Sequence, residues 1–220
     1  MRCIVTAGPS YEPLDQVRRL TNFSTGRLGT ELCNFLVNAG HETVLLIGEY
    51  ATYSGEQRAS SVQKFSTSAD LAEKLQAFSG KGIDGVFHAA AIGDYKFGNI
   101  WTRSEAGELV PVHSGKLSTR DGTLLAELLP TPKIIAQLRQ WFPASLLVGW
   151  KFEVDGDTQS VIELARRQLD EWHTDACVAN GPAYGAGFGL VSAAGPNHFI
   201  DRDALFTALE RILTTRAKAW

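Results

Sequence analysis

Four short stretches carry residue types suited to phosphate and acyl chemistry. The first is Thr6-Ala7-Gly8-Pro9-Ser10, followed by Asn22-Phe23-Ser24-Thr25-Gly26-Arg27-Leu28-Gly29. A strand-like run gives way to a long loop, which delivers Ser24, Thr25 and Gly26 to the start of a helix-like segment. The first N–H groups of a helix lack intrahelical partners, and the helix dipole favours an anion there. The same residues also suit a plain capped helix packed closely on a sheet. The spacing Gly8…Gly26…Gly29 is not the G-x-G-x-x-G of dinucleotide sites, and no Walker pattern is present.

The second stretch is His88-Ala89-Ala90-Ala91-Ile92-Gly93-Asp94-Tyr95. Three alanines after a strand clear space for a flat group. Asp94 then stands at the mouth, to accept from a ribose hydroxyl, to hold a metal, or as an exposed loop carboxylate. His88 reads as part of the strand. The third is Gly115-Lys116-Leu117. Beside a phosphate site Lys116 suits a clamp for developing charge; alone it reads as a solvated surface lysine. The fourth, Val148-Gly149-Trp150-Lys151-Phe152-Glu153, ends a strand in an aromatic that stacks on a base or closes the core. The glycine-rich loop Asn180–Gly189 suits a ligand cover or a plain connection. No HExxH, CxxC or GxSxG occurs, so nothing points to structural zinc or to an acyl-enzyme nucleophile.

These stretches need elements to hold them. The chain has 220 residues, 44% hydrophobic and 20% charged, which suits one α/β domain over residues 1–220. A formal net charge of -3 argues against a strongly basic nucleic-acid binder. No apolar run has the length of a membrane helix, and Met1–Val5 reads as a strand rather than a signal peptide. Cys3, Cys33 and Cys177 lie apart in apolar elements, as buried reduced thiols of a cytoplasmic protein do. Strands are expected at Arg2–Thr6, Thr43–Ile47, Val62–Ser66, Gly85–His88, Thr123–Leu129, Leu146–Gly149 and Asp175–Ala179, with short ones at Gly189–Ser192 and His198–Ile200. Helices are expected at Leu28–Asn38, Ala69–Phe78, Asp157–Glu171 and Asp201–Thr214. Another is expected over Lys133–Trp141, capped and started by Thr131-Pro132. Lys96–Arg120 reads as an irregular lid with a β excursion at Leu109–Val112. Apolar strands alternating with helices imply a doubly wound, mostly parallel sheet with helices on both faces. Such sheets bind ligands at the carboxyl ends of their strands.

Five strings together resemble one family. TAGPSYEPLDQVRRLTNFSTGRLG, AAAIGDY, GKLSTRDGTLLAELLPTPKIIAQL, LVGWKFE and ARRQLDEWHTDACVAN are similar to the phosphopantothenate–cysteine ligase domain, the C-terminal type of DNA/pantothenate metabolism flavoproteins. They occur in that family's order and cover nearly the whole chain. The resemblance implies a Rossmann-like homodimer in coenzyme A biosynthesis. It implies CTP or ATP with Mg²⁺ activating the carboxylate of 4'-phosphopantothenate, and cysteine attacking the acyl-nucleotidylate. A separate flavin-dependent decarboxylase is a candidate partner; no nucleic acid and no membrane are expected. Asn22 matches the asparagine that holds the intermediate, and Lys116 the flap lysine. Ser24, Thr25 and Gly26 match the phosphate-cradling turn, and Gly8 and Ser10 its opening. Ala89, Ala90 and Asp94 match the nucleotide segment, Thr131, Pro132 and Ile134 the nucleotide-contacting turn, and Trp150 the base-facing aromatic.

The chain departs from the family in places. Pro9 lacks the N–H that a phosphate needs there. Lys133 stands where the family has aspartate. Gln168 and Trp172 stand where bacterial members have triphosphate-binding lysines, and Lys133 and Lys151 are the candidate replacements. These departures keep open a catalytically inactive nucleotide-binding homologue. An NAD(P)-dependent oxidoreductase on a similar fold is the other alternative, without its glycine fingerprint or a Tyr-x-x-x-Lys pair. The lid is expected to order over the intermediate.

Overall fold

A computed structural model describes residues 1–104, 106–112, 114–118 and 122–217. The chain opens with β1 (Arg2–Ala7), the hairpin strands β2 (Tyr11–Pro13) and β3 (Arg19–Thr21), and α1 (Arg27–Asn38). There follow β4 (Glu42–Gly48), β5 (Ser61–Phe65), α2 (Ser68–Gln76) and β6 (Gly85–His88). Then come β7 (Tyr95–Arg103), β8 (Leu109–Pro111), β9 (Thr123–Pro130) and α3 (Ile135–Trp141). The last elements are β10 (Leu146–Phe152), α4 (Thr158–Trp172), β11 (Ala176–Asn180), β12 (Phe188–Ser192), β13 (Gly195–Phe199) and α5 (Arg202–Ala217).

The main sheet has 8 strands in the order β13-β12-β11-β10-β6-β1-β4-β5. It is parallel from β5 to β11, and β12 and β13 add antiparallel. The chain winds outward from β1 through β4 to β5, then returns to β6 and winds the other way. The direction therefore reverses between β1 and β6, where open α/β sheets hold their ligands. Strand alternation splits the core into two layers. Cys3, Val5, Phe87 and Val148 face α1 and α5. Ile4, Val86 and Leu147 face α2 and α3, and Cys177 and Ala179 face α4. All three cysteines are buried and free. Burial pushes the Cys3 and Cys177 thiols up to about 12, which keeps them protonated.

The helix ends follow local chemistry. The Thr67 side chain accepts from Asp70 N to cap α2. Asp157 and Ser160 form a reciprocal capping box at α4. The expected strands and helices of the main sheet are present, with ends shifted by a few residues.

Three expectations fail. The start of the expected irregular lid is strand β7, which pairs with β9 and with β8, the expected β excursion, in a separate 3-stranded sheet. Gly98 and Asn99, which read as loop, sit in a register shift between Phe97 and Ile100. There Glu127 Oε2 accepts from Asn99 N at 3.0 Å and from Asn99 Nδ2 at 3.2 Å, a β-bulge with its own anchor. Residues 105, 113, 119 and 120 of the expected lid lie outside the described residues. Thr131 and Pro132 do not start α3, which begins at Ile135 with no side-chain cap. Thr131 Oγ1 instead donates to Gly93 O at 2.6 Å. Finally, the long first loop contains the β2–β3 hairpin.

Helix α1 rests on β1 at Gly29. An added Cβ there would stand 2.7 Å from Ala7 Cβ and 2.9 Å from Thr6 O. Alanine gains about 1 kcal/mol of helix propensity, but forcing the layers apart costs about 1–3 kcal/mol. Gly29→Ala should therefore lower the denaturation midpoint; a raised midpoint would show that α1 is free to shift.

Candidate active site

The loops leaving β1 and β6 close on each other at the reversal point. Ala91 N donates to Gly8 O at 2.9 Å, and Ser10 N donates to Ala91 O at 3.0 Å. Gly93 N donates to Ser10 Oγ at 2.8 Å. Pro9 sits inside this bridge, paired with Ala91; its missing N–H is not needed by the bonds on either side. Ser10 is fully buried, so its place is that of a strut between the loops. Asn22 Nδ2 joins the same junction, donating to Ala91 O at 3.1 Å.

On the α1 side of this junction lies the glycine turn. Gly8 and Gly26 both adopt positive φ, +76° and +81°. A Cβ on Gly26 would stand 3.3 Å from Gly8 Cα, so the two turns can touch only as glycines. Gly26 is the N-cap of α1, and no side chain caps that helix. Thr25 Oγ1 accepts from Arg27 N at 3.3 Å. The first turn thus offers backbone donors and a dipole to an anion, with Ser24 and Thr25 beside it.

On the α3–α4 side lies an open cleft of about 190 Å³. It gathers Ala90, Asp94, Thr131, Pro132, Ile134 and Trp150 from the expected set, and adds His88, Lys133, Lys151, Gln168 and Trp172. Ala89 lies one residue back, its N–H donating to Phe87 O at 3.2 Å. Asp94 and Lys133 pair across the mouth at 2.5 Å. Strand alternation turns the Trp150 side chain toward the α1–α5 layer, where it packs against that core. Trp172 lines the cleft from α4. The buried Trp150 Nε1 and Gln168 Nε2 have no hydrogen-bond partner among the described residues. Burial lowers the His88 imidazole to about 4, and its Nδ1 lies 3.0 Å from Thr6 Oγ1. The cleft floor is therefore neutral near pH 7.

Lys116 stands exposed on a segment docked to the β2–β3 hairpin. Gln16 N donates to Gly115 O at 3.0 Å. Leu117 N donates to Asp15 Oδ2 at 3.1 Å, and Arg18 Nη2 donates to Leu117 O at 2.6 Å. The Arg18 guanidinium, with backbone donors from Val17, Arg18 and Leu117, holds the Asp15 carboxyl well below the usual range. Asp15 and Arg18 were not singled out from the sequence. Asp-x-x-Arg spacing signals a local turn, but nothing local reveals a contact about 100 residues away. No cluster of three or more His, Cys, Asp or Glu could hold a metal among the described residues. Nor is any described helix long and apolar enough to cross a membrane.

Fold and site define a doubly wound α/β protein with its cleft and the glycine turn that starts α1 both at the carboxyl edge. A family model described as DNA/pantothenate metabolism flavoprotein C-terminal domain matches residues 1–211, and the chain belongs to that family. The coenzyme A biosynthesis bifunctional protein CoaBC of Thermococcus kodakarensis is 31% identical over 180 residues, 81% of this chain and 41% of that protein. The chain spans about two fifths of the length of the CoaBC proteins it matches. The solved DNA/pantothenate metabolism flavoprotein from Streptococcus pneumoniae superposes with a TM-score of 0.86 at 25% identity, covering 98% of this chain and 99% of that one. A Cab2 mutant in complex with phosphopantothenate-cysteine shares the fold, with a TM-score of 0.73 at 17% identity over 100% of this chain and 87% of that one.

Two titrations check this geometry. The unfolded histidine titrates near 6.5 and folded His88 near 4. Its contribution is whole above pH 6.5 and fades by about 3 kcal/mol as pH falls to 4. The His88 ring protons should hold one NMR shift down to about pH 5 and then move with a midpoint near 4, and a midpoint near 6.5 would contradict the burial. The Asp15 contact has the same sign of dependence in a more acidic window. It is whole above the ordinary carboxylate value of 3.8 and is lost only in stronger acid. The Leu117 amide resonance should stay in place down to about pH 4, whereas Asp15→Ala should displace it at every pH.

Proposed function

We propose that this chain is a phosphopantothenate–cysteine ligase, joining 4'-phosphopantothenate to L-cysteine with CTP or ATP in coenzyme A biosynthesis. The observation that carries the reading is Asn22 at the β1–β6 junction, between a helix-capped anion turn and an open cleft. Family membership supports it, as does the Cab2 relative described with phosphopantothenate-cysteine bound.

In this reading the nucleotide enters the cleft, with Asp94 accepting from its ribose. The α1 turn of Ser24, Thr25 and Gly26 holds a substrate phosphate. The substrate carboxylate attacks the α-phosphate, forming an acyl–O–P bond while pyrophosphate leaves. Asn22 holds the acyl phosphate, and Lys116 balances the charge that develops on it. The cysteine amine then attacks the carbonyl, forming the amide, releasing the nucleoside monophosphate and giving up a proton to solvent. No enzyme nucleophile is needed; positioning and electrostatics carry the reaction. Mg²⁺ carried by the nucleotide would be held mainly by phosphate oxygens and waters, as that ion usually is; Asp94, the exposed carboxylate of the cleft, is assigned to the ribose. Bound with the nucleotide, Mg²⁺ would neutralise phosphate charge. A cytoplasmic homodimer, with a separate flavin-dependent decarboxylase supplying a partner activity, completes the proposal.

A binding-only reading draws on the neutral Gln168 and Trp172 in the cleft wall. One experiment separates them. With Mg²⁺ and 4'-phosphopantothenate, the protein should release pyrophosphate from CTP or ATP, and adding cysteine should yield the amide. Asn22→Ala and Lys116→Ala should each lower kcat at least about a hundredfold while the fold survives. Nucleotide binding without pyrophosphate release would favour the binding-only reading, and NAD(P)H binding indifferent to CTP and ATP a redox one.

A further inference from the structure

The cleft divides by charge. Its α4 wall is neutral: Gln168 is 6% exposed, and a Cβ on Gly149 would stand 2.1 Å from its Nε2. That amide is folded down onto the sheet and does not reach outward. Trp172 follows it one helical turn later on the same face. The cleft's cations are Lys133, before α3, and Lys151, on the β10 floor. Lys151 leans toward Glu153, 3.7 Å away. Lys133 pairs with Asp94 at 2.5 Å, with side chains 55% and 64% exposed. Ion pairs that open to water are weak and exchange readily. A polyphosphate is a stronger partner for a flexible ammonium than one solvated carboxylate.

We propose that Lys133 is the residue that makes this cleft prefer a nucleoside triphosphate to a monophosphate, by exchanging Asp94 for the polyphosphate when nucleotide enters. The exchange frees Asp94 for the ribose in the same step. The inference rests on the nucleotide-dependent reading above and assigns the polyphosphate to the α3 side of the cleft rather than to α4.

Calorimetric titration of CTP, CMP, ATP and AMP into the wild type, Lys133→Met and Lys133→Arg tests it without turnover. Lys133→Met should reduce the triphosphate-to-monophosphate affinity ratio about tenfold. It should leave monophosphate affinity unchanged or slightly raised, because Asp94 is released. Lys133→Arg should restore most of the ratio. The exposed site should leave the melting temperature within the scatter of surface substitutions. An unchanged ratio in Lys133→Met, with wild-type protein that binds CTP or ATP, would overturn the assignment and leave the ligase reading standing. Wild-type protein that binds none of the four nucleotides would overturn both.

Discussion

The peptide group of Ala91 is bonded on both sides. Its N–H reaches Gly8 and its carbonyl receives both Ser10 N and Asn22 Nδ2. Through these bonds the loops after β1 and β6, which an open α/β sheet would let diverge, are held together at the reversal point. Everything that the proposed chemistry needs is measured from there. The glycine turn hangs on one side, the Asp94 segment on the other, and Asn22 sits between them. Ser10, buried and bonded through both its N–H and its hydroxyl, makes the junction rigid, because any tilt of either loop would strand a buried polar group.

The sheet itself acts as a partition. Period-two alternation sends Lys151 toward the cleft and Trp150, its neighbour, toward the α1–α5 core. The same rule puts His88 beside the cleft and Phe87 in the opposite layer. A ligand crossing the carboxyl edge therefore meets two surfaces of different character. One offers backbone amides at a helix start; the other offers side-chain charges on flexible stems.

The doubly wound core was legible because its strands are continuous apolar runs and its helices carry caps and periodic faces. Residues such as Val44–Ile47 and Asp157–Ser160 state their roles locally. Two strands of the small sheet were legible, at Leu109–Val112 and Thr123–Leu129; β7 was not, because it is only partly buried and its bulge uses Gly98 and Asn99, which read as loop residues. Thr131-Pro132 has the composition of a helix start, but the Thr131 hydroxyl is taken by Gly93, a tertiary partner that outweighs the local preference. Of the site, the residue types were legible and the grouping was not. Asp15 and Arg18 anchor the Lys116 segment across a gap in sequence that no local pattern spans. The orientation of Trp150 depended on a strand running to Phe152 rather than stopping at Gly149.

The hydroxyl of Thr6 has a consequence for the cleft floor. It accepts the Ala90 N–H at 3.1 Å and lies 3.0 Å from His88 Nδ1, so one oxygen ties the loop backbone to the ring. The imidazole is thereby anchored through Nδ1 and buried. A ring so held stays uncharged through the physiological range. The floor can therefore present a fixed, neutral surface to a ligand, while the lysines above it respond to charge.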